Sequence, residues 1–375
     1  MTEKIAIVGA GNAGCISALN LHYLKETEGK EYINEVEIYH DPNTPIERVG
    51  QGTQINVRET IFDVLDLNWM DKNYIDATVK LGLRYQGWGQ KNHDFFHPFD
   101  SGTVAMHYVP DLLSKHVLKS GLFNVVEKTI TDPEEEIDAT YIIDCRGKVD
   151  EIDDSYHTLT NPLNSVILAR KEGADPTLLW TGHVATPNGW TFVIPNKDSV
   201  SYGYLYNNTI TSKEDAEKDF IERFDVEPNG HLSFNNYLAK DMWRGERTLL
   251  NGNRLSFIEP MEATSSVVHH NVSELLFDLM TCNVSREEMN ESIYREVMDV
   301  QDFILYHYKH GSKYDTPFWE YAKSLPLNSE QKLLDNFEMS NKLTNLYQVG
   351  EHMDDLGYGY WRPQSFRCWS DNVSG

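Results

Sequence analysis

The order of segments along the chain predicts a mixed α/β fold. A glycine turn between a strand and a helix opens the sequence, strand patterns follow one another from Asn164 to Asn207, and helical patterns dominate from Thr264 onward. These observations predict a βαβ module, an inserted β-sheet layer and a C-terminal helical cap. The corresponding divisions are residues 1–155 together with about 245–300 for the module, 156–244 for the sheet layer and 301–375 for the cap.

The first element pair is typical of a dinucleotide site. A strand at Lys4–Val8 runs into Gly9-Ala10-Gly11-Asn12-Ala13-Gly14, and a helix is predicted from there to Lys25. The first glycine allows the tight turn, and the second lets a pyrophosphate approach the helix N-terminus. The alternative is a purely structural glycine turn. After the second strand, Glu35–Tyr39, His40 occupies the usual place of the ribose-binding acid.

Six further segments carry a local sequence signal, which is a periodicity in five of them. The alternation of apolar and polar residues predicts one strand from Val79 to Tyr85, and the acidic run 133–136 predicts a solvated loop. The others are helices at Val57–Leu67 and Val109–Lys119 and strands at Phe123–Glu127 and Tyr141–Asp144.

Lys80 lies on the polar side of its predicted strand. It is either a solvent-facing lysine or a lysine at a dry pocket, where burial would disfavour the ammonium form. Gly82 reduces bulk beside it.

A glycine loop, Gly50-Gln51-Gly52, precedes a predicted helix. It is either an ordinary flexible loop or a strap whose small residues allow backbone to lie close to a flat cofactor.

The segment from Glu259 to Ser266 is a turn that leads into a helix, with Thr264 or Ser265 as the N-cap. The free N–H groups of such a helix start favour an anion. The alternative is a capped helix with two exposed carboxylates, Glu259 and Glu262.

Two aromatic segments complete the pattern. Asp94 to Phe99 is a core corner or a platform for an aromatic ring. Trp190 to Pro195 is a strand-like apolar run that ends at a proline.

Taken together, these segments resemble the flavin-dependent halogenases of the tryptophan-halogenase type, especially compact members that include viral ones. That family has Gly-x-Gly-x-x-Gly near the N-terminus, a lysine strand, a Trp-x-Trp-x-Ile-Pro segment and a Glu-Pro-Leu-Glu segment. Here they are Gly9–Gly14, 79–85, Trp190–Pro195 and Glu259–Glu262, in the same order. Asp315 to Trp319 repeats another family run.

The resemblance implies a flavin monooxygenase-like FAD module and a division of roles among named residues. Reduced FAD, supplied by a separate flavin reductase, would react with O2 and halide, and the resulting hypohalous acid would travel through an internal tunnel to Lys80. Glu262 would be the base or polarising group, Thr264 and Ser265 would bind halide, and a small aromatic substrate would contact His97, Phe99 and Trp361. The implied cofactor-binding residues are Gly9, Gly11, Asn12, Ala13, Gly14, His40, Gly50, Gln51, Gly52, Trp190, Ile194, Pro195 and Pro260.

The sequence departs from the family pattern at several of these positions. Phe192 stands in place of the second tryptophan of the Trp-x-Trp segment, and Ala263 and Ser265 replace a serine and a glycine. Thr53 and Ile55 take the last two key positions of the strap. The chain is also much shorter than tryptophan-specific members, which argues against tryptophan specificity.

Composition argues against several classes of partner and of site. With 33 basic and 58 acidic side chains the net charge is −25, which disfavours nucleic acids and anionic membranes. The four cysteines show no CxxC pair, so neither a zinc site nor a disulfide framework is expected. With no secretory leader and no apolar run of membrane-spanning length, we expect a cytoplasmic protein. A homo-oligomer remains one open alternative.

Two other functions fit the same residues. A flavin-dependent aromatic hydroxylase would share the fold and insert oxygen in place of halogen. A degenerate FAD-binding protein without catalysis would explain the altered strap and halide positions.

Overall fold

The structure is a computed structural model that describes residues 3–99, 102–149, 151–173, 175–329, 331–335, 338, 361 and 363–373. The strands are β1 (Glu3–Val8), β2 (Ile33–His40), β3 (Gln51–Gly52), β4 (Thr78–Lys80), β5 (Gly82–Gln86), β6 (Asp94–Pro98), β7 (Ala105–Tyr108), β8 (Asn124–Glu127), β9 (Tyr141–Asp144), β10 (Tyr156–Thr158), β11 (Ser165–Glu172), β12 (Thr181–Thr186), β13 (Gly189–Pro195), β14 (Ser199–Tyr206), β15 (Pro228–Ser233), β16 (Tyr237–Ala239), β17 (Trp243–Arg244), β18 (Thr248–Leu250) and β19 (Ser256–Phe257). The helices are α1 (Asn12–Thr27), α2 (Ile55–Val64), α3 (Pro110–Lys119), α4 (Pro133–Glu136), α5 (Lys213–Phe224), α6 (Ser265–Met280), α7 (Arg286–Lys309), α8 (Pro317–Ser324) and α9 (Pro363–Val373).

The N-terminal module is built on a six-stranded sheet with the order β17-β18-β9-β1-β2-β8. Its central strand β1 pairs in parallel with β2 and β9, as a βαβ crossover requires. Residues 5–8 of β1 are an uninterrupted apolar run, which suits a strand buried on both faces. Helices α1 and α6 pack against each other beside the sheet and share one large aliphatic core.

The second layer is a seven-stranded sheet with the order β15-β11-β14-β13-β12-β5-β6. Strands β11 to β14 pair antiparallel, whereas β12 pairs in parallel with β5. The sheet therefore brings residues 82–98 beside residues 165–233. One of its faces contributes to a second core that is rich in aromatic residues, among them Trp88, Trp190, Trp319 and Trp369.

Two small sheets complete the described part of the fold. One has the order β3-β7-β4 and the other β10-β16-β19. Helix α7 runs without a break across residues 300–301, where the sequence-based division placed the start of the cap. The α/β class expected from the sequence is confirmed.

Two local expectations were wrong. The predicted strand from Val79 to Tyr85 is two strands in different sheets, because the chain turns at Gly82 with φ +155°. The run 133–136 forms one helical turn, and Glu134 pairs with Arg247 at 3.2 Å.

Candidate active site

The turn between β1 and α1 has the geometry that its glycines predict. A Cβ at Gly9 would lie 2.5 Å from the Cys145 carbonyl oxygen, and one at Gly14 would lie 1.9 Å from the Gly9 oxygen. A Cβ at Gly11 would meet nothing within 4 Å. The first and third glycines are therefore required by packing, whereas the second faces open space at the start of a helix.

Strand β7 links this turn to the glycine loop expected to bind the cofactor and to the lysine expected to act on substrate. The Tyr108 hydroxyl hydrogen-bonds Oδ1 of Asn12, the first residue of α1. On one side β7 pairs with β3, which carries Gln51 and Gly52, and on the other with β4, which ends at Lys80. One strand thus connects the glycine turn, the glycine loop and the lysine.

Lys80 is fully buried, so its solvent-facing alternative is wrong. Its Nζ donates to the Thr53 carbonyl oxygen at 3.1 Å and lies 5.4 Å from the centre of the Phe99 ring. Burial lowers the pKa of Lys80 to about 8, although the charge of Glu262 opposes the shift. Lys80 can therefore exchange a proton near neutral pH.

Glu262 is buried like Lys80. The alternative of a capped helix with an exposed carboxylate is therefore wrong for Glu262. Its Oε1 accepts a hydrogen bond from the Tyr85 hydroxyl and lies 3.0 Å from Nε2 of His307, and its Oε2 accepts from Nε1 of Trp361 at 3.3 Å. Its backbone and that of Ala263 lie in the left-handed region, with φ of 65° and 56°. The turn costs conformational energy and directs the carboxylate inward.

The protonation of Glu262 follows from these partners. Burial raises its pKa, but the hydrogen bonds from His307 and Tyr85 and the charges of His97 and His307 outweigh burial and hold the pKa well below its usual range. Burial also lowers the pKa of His97. The hydrogen bonds and the neighbouring charges together therefore keep Glu262 ionised at neutral pH.

Glu259, three residues earlier, has a different environment. Its carboxylate accepts from Asn161 at 2.9 Å, from Nε1 of Trp190 at 2.8 Å and from the Tyr308 hydroxyl at 2.9 Å. Burial raises its pKa to about 7. Glu259 thus connects β13, α7 and the loop that contains Asn161 through hydrogen bonds.

A small cavity of about 30 Å³ joins many of the predicted site residues. Lys80 borders it together with the glycine loop, the end of β13 and the turn before α6. The lining residues are Gln51, Gly52, Lys80, Leu83, Thr181, His183, Phe192, Ile194, Pro260, Ala263 and Ser265.

The segment Trp190–Pro195 presents its residues in different directions. Trp190 is fully buried, stacks on His183 with ring centres 4.9 Å apart, and donates to Glu259. Phe192 and Ile194 line the small cavity. The Pro195 carbonyl accepts from the Thr78 hydroxyl at 2.7 Å.

The predicted halide and substrate residues lie around Glu262. Thr264 is the N-cap of α6, and within the described ranges its buried hydroxyl has no hydrogen-bond partner. Nδ1 of His97 lies 4.0 Å from Oε1 of Glu262, and its Nε2 lies 2.9 Å from the Ser365 hydroxyl on α9. Trp361 packs on Phe303 with ring centres 4.2 Å apart.

Two predicted cofactor residues lie farther from Glu262 in sequence and structure. His40 ends β2, and its Nε2 is 3.9 Å from a carboxylate oxygen of Glu127. The Gly50 N–H donates to the Ser201 hydroxyl at 2.9 Å, and a Cβ at Gly50 would lie 2.3 Å from Oδ1 of Asn196. The loop is thus held against the seven-stranded sheet.

Sequence reasoning missed four residues of this site: Tyr85, His107, Thr181 and His307. Tyr85, His107 and Thr181 lie in strands, where a single polar residue among apolar ones gives no local signal of function. His307 was detectable as an isolated histidine among the apolar residues of α7.

Neither a metal centre nor a membrane helix is found in the part of the chain that the structure describes. No group of three His, Cys, Asp or Glu side chains is placed to hold a metal ion there. Within the same residues, every helix is too short or too polar to span a bilayer.

Comparison with known proteins places these features in a family context. A family profile described as tryptophan halogenase matches residues 4–120 and 113–354. RebH, a tryptophan 7-halogenase of Lentzea aerocolonigenes, is 25% identical over 309 residues, which cover 74% of this chain and 55% of RebH. The chain therefore spans little more than half the length of that relative.

Solved structures show the same fold. MibH, a tryptophan 5-halogenase, superimposes with a TM-score of 0.81 at 16% identity, covering 99% of this chain and 86% of MibH. BrvH, a flavin-dependent halogenase from Brevundimonas sp. BAL3, has a TM-score of 0.77 at 18% identity, covering 99% and 90%.

Proposed function

Because the chain belongs to the tryptophan halogenase family, we propose that it is a flavin-dependent halogenase of an electron-rich aromatic substrate. The observation that carries the proposal is the shared cavity: a buried lysine, the glycine loop and the turn of Glu262 meet at one small space. In this arrangement a lysine shielded from water borders the place where a small electrophile would arrive, and the buried carboxylate of Glu262 belongs to the turn whose residues Pro260 and Ala263 line the same space.

The residues present fit a bound FAD. The open space at Gly11, directly before α1, is where a pyrophosphate would meet the helix N-terminus. His40, the last residue of β2, would be the side chain near the ribose. Gln51, Gly52, Ile194 and Pro260 line the cavity from the cofactor side, and a cleft of about 710 Å³ borders the preceding Arg48 and Val49.

When bound, reduced flavin would supply hypohalous acid from O2 and halide. A separate flavin reductase is the proposed source of the reduced cofactor. The unpartnered Thr264 hydroxyl and the first N–H groups of α6, beginning at Ser265, suit a halide ion, because each offers a donor and the helix start favours negative charge.

Lys80 would receive the acid at the far side of the cavity. Its amine either hydrogen-bonds the acid and aims it or takes the halogen as an N-haloamine, with water as the other product. The arene would then replace one ring hydrogen by the halogen, so that the overall products are the aryl halide and water.

Glu262 would accept the ring proton or polarise the halogen donor. Its ionised state favours proton acceptance, and its fixed hydrogen bonds hold the carboxylate in one orientation. His97, Phe99 and Trp361 surround this region and suit an aromatic ring. The ring would have to approach Glu262 beside Trp361, which contacts it directly.

The test is a product analysis of the purified chain with FAD, a flavin reductase, and a panel of phenols and indoles. Each arene is combined with chloride, bromide and iodide, and products are read by mass spectrometry. A halide-dependent mass increase supports the proposal. Oxygen insertion would identify an aromatic hydroxylase, and no product from any combination would favour a non-catalytic FAD-binding protein.

A further inference from the structure

A chain of three hydrogen-bonded side chains ends at the cavity beside Lys80. The Thr78 hydroxyl donates to the Pro195 carbonyl at 2.7 Å, and Nδ1 of His107 lies 3.2 Å from the same hydroxyl oxygen. Nε2 of His107 lies 2.9 Å from the hydroxyl oxygen of Thr181, which lines the cavity. His107 is fully buried and Thr181 nearly so.

The direction of each bond can be assigned from the donors available. Burial, helped by the charge of Lys80, holds the pKa of His107 well below its usual value, so the ring is neutral and carries one N–H. A carbonyl oxygen can only accept, so the single Thr78 proton points to Pro195. Thr78 can then only accept from His107, which places the ring proton on Nδ1.

The other ring nitrogen must therefore accept. Its neighbour is the Thr181 hydroxyl, whose proton points to His107 and away from the cavity. What Thr181 can offer to the cavity is an oxygen lone pair. This contrasts with Thr264, whose hydroxyl proton has no assigned acceptor among the described residues and remains available to an anion.

Lys80 and Thr181 border the same point in space. A Cβ placed on Gly52 would lie 3.2 Å from Nζ of Lys80 and 3.6 Å from Oγ1 of Thr181. Lys80 and Thr181 also line the same cavity of about 30 Å³, so a nitrogen donor and an oxygen acceptor border one small space. Hypohalous acid has one O–H donor and one acceptor oxygen, so it matches this pair.

We propose that Thr181 is the hydrogen-bond acceptor that orients hypohalous acid against Lys80, and that His107 and Thr78 are positioning residues that fix the direction of its hydroxyl. The acid then directs its O–H to Thr181 and its oxygen to Lys80, which leaves the halogen end free to meet the arene. This assignment rests on the proposed halogenase function.

The test measures halogenated arene and escaped oxidant, each per O2 consumed, with a thiol scavenger to capture the oxidant. Thr181→Val keeps the shape and removes the acceptor. We expect it to lower the arene yield by roughly three- to tenfold, the effect of one hydrogen bond, and to raise the escaped oxidant. Thr181→Ser restores the hydroxyl and should recover most of the yield, and Thr158→Val, on exposed β10, is the matched control.

A double-mutant cycle separates positioning from a general structural effect. Thr78→Val should lower the arene yield in the wild-type background and have no further effect in the Thr181→Val background, because both act through one acceptor. Equal losses in both backgrounds would overturn the assignment.

The outcomes also separate this assignment from the function on which it rests. A Thr181→Val enzyme that binds FAD and halogenates at the wild-type yield overturns the role of Thr181 and leaves the halogenase function standing. A wild-type chain that makes neither product nor oxidant overturns the halogenase function itself. If Thr181→Val does not bind FAD, Thr181→Cys, a weak acceptor, takes its place with the same expected loss.

Discussion

Nε2 of His307 lies 3.0 Å from Oε1 of Glu262, and both side chains are buried. The two residues come from a long helix and from a left-handed turn that is distant in sequence. Together with Tyr85 on β5, this contact determines that the buried carboxylate remains charged. Its chemistry thus depends on three separate elements.

Glu262→Gln tests that charge. The amide keeps the shape of the side chain but cannot accept a ring proton, and we expect turnover to fall by roughly 10²–10⁴-fold. Single-turnover measurements of aryl halide formation, with FAD affinity as a check on folding, would show the loss. Glu214→Gln, on exposed α5, is the control, and an unchanged rate at Glu262→Gln would remove this residue from the mechanism.

Lys80→Ala tests the transfer step. Removing the buried amine should abolish arene halogenation and leave FAD bound, because the hydrogen bond of Nζ to the strap goes to a backbone carbonyl, that of Thr53. Lys171→Ala removes an exposed lysine of β11 and should keep full activity. Full activity in Lys80→Ala, measured by product mass, would contradict the role.

The pH dependence of halogen transfer should report Lys80. Its pKa near 8 means that the ammonium form predominates at neutral pH and is lost as the pH rises through about 8. The Thr53 carbonyl and the charge of Glu262 favour that form as a hydrogen-bond donor, so we expect the rate to fall above pH 8. A rate that rises there instead would indicate an amine that takes the halogen covalently. Stopped-flow measurements with preformed hypohalous acid would separate these cases.

Glu259→Gln should act on stability rather than on chemistry. The amide presents N–H groups to side chains that already donate, so the free energy of unfolding should fall by about 1–3 kcal/mol near pH 5. The raised pKa of Glu259, about 7 against an ordinary 4.5, contributes stability that is present below pH 4.5 and lost as the pH rises through 7. The difference in the free energy of unfolding between wild type and variant should therefore become smaller as the pH rises from 4.5 to 7.

Denaturant unfolding at several pH values measures this gap. Glu31→Gln, an exposed glutamate, should show no such change. A gap that is constant from pH 4.5 to 7 would contradict the titration of Glu259 in this range.

Gly11→Ala and Gly14→Ala form a matched pair. At Gly11 a methyl group meets no atom within 4 Å, so the FAD-free protein should keep its thermal stability. The methyl group would occupy the space proposed for the pyrophosphate, so FAD binding should weaken. At Gly14 the methyl would lie 1.9 Å from the Gly9 oxygen, so the fold itself should be destabilised. Thermal melts of the FAD-free protein and fluorescence titration with FAD distinguish the two, and equal FAD affinity in wild type and Gly11→Ala would exclude this site.

The sequence predicts local elements well and long-range partners poorly. The Gly9–Gly14 turn was predictable because a strand, a glycine turn and a helix follow one another without a gap. Alternation around Lys80 correctly indicated strand. It did not show that the lysine points inward, because the turn at Gly82 transfers the chain to another sheet.

The partners of Glu262 illustrate the same limit. Tyr85 and His307 are 177 and 45 positions away from it, so neither periodicity nor a local motif connects them. The chain of hydrogen bonds from Thr78 through His107 to Thr181 joins strands β4, β7 and β12, which come together only in the folded protein. The family resemblance located Lys80 and Glu262 but not the residues that set their protonation.

The central position of β7 between β3 and β4 bears on how such a protein diversifies. Backbone pairing fixes the spacing between the cofactor-side loop and Lys80, so most side-chain changes on either flank leave that spacing intact. The residues proposed to face the arene, among them His97 on β6 and Trp361, lie outside this pairing and can vary separately. In the proposed reaction, delivery of the reactive species and choice of the arene would therefore depend on separate sets of residues, and the range of substrates could change while the delivery path is kept.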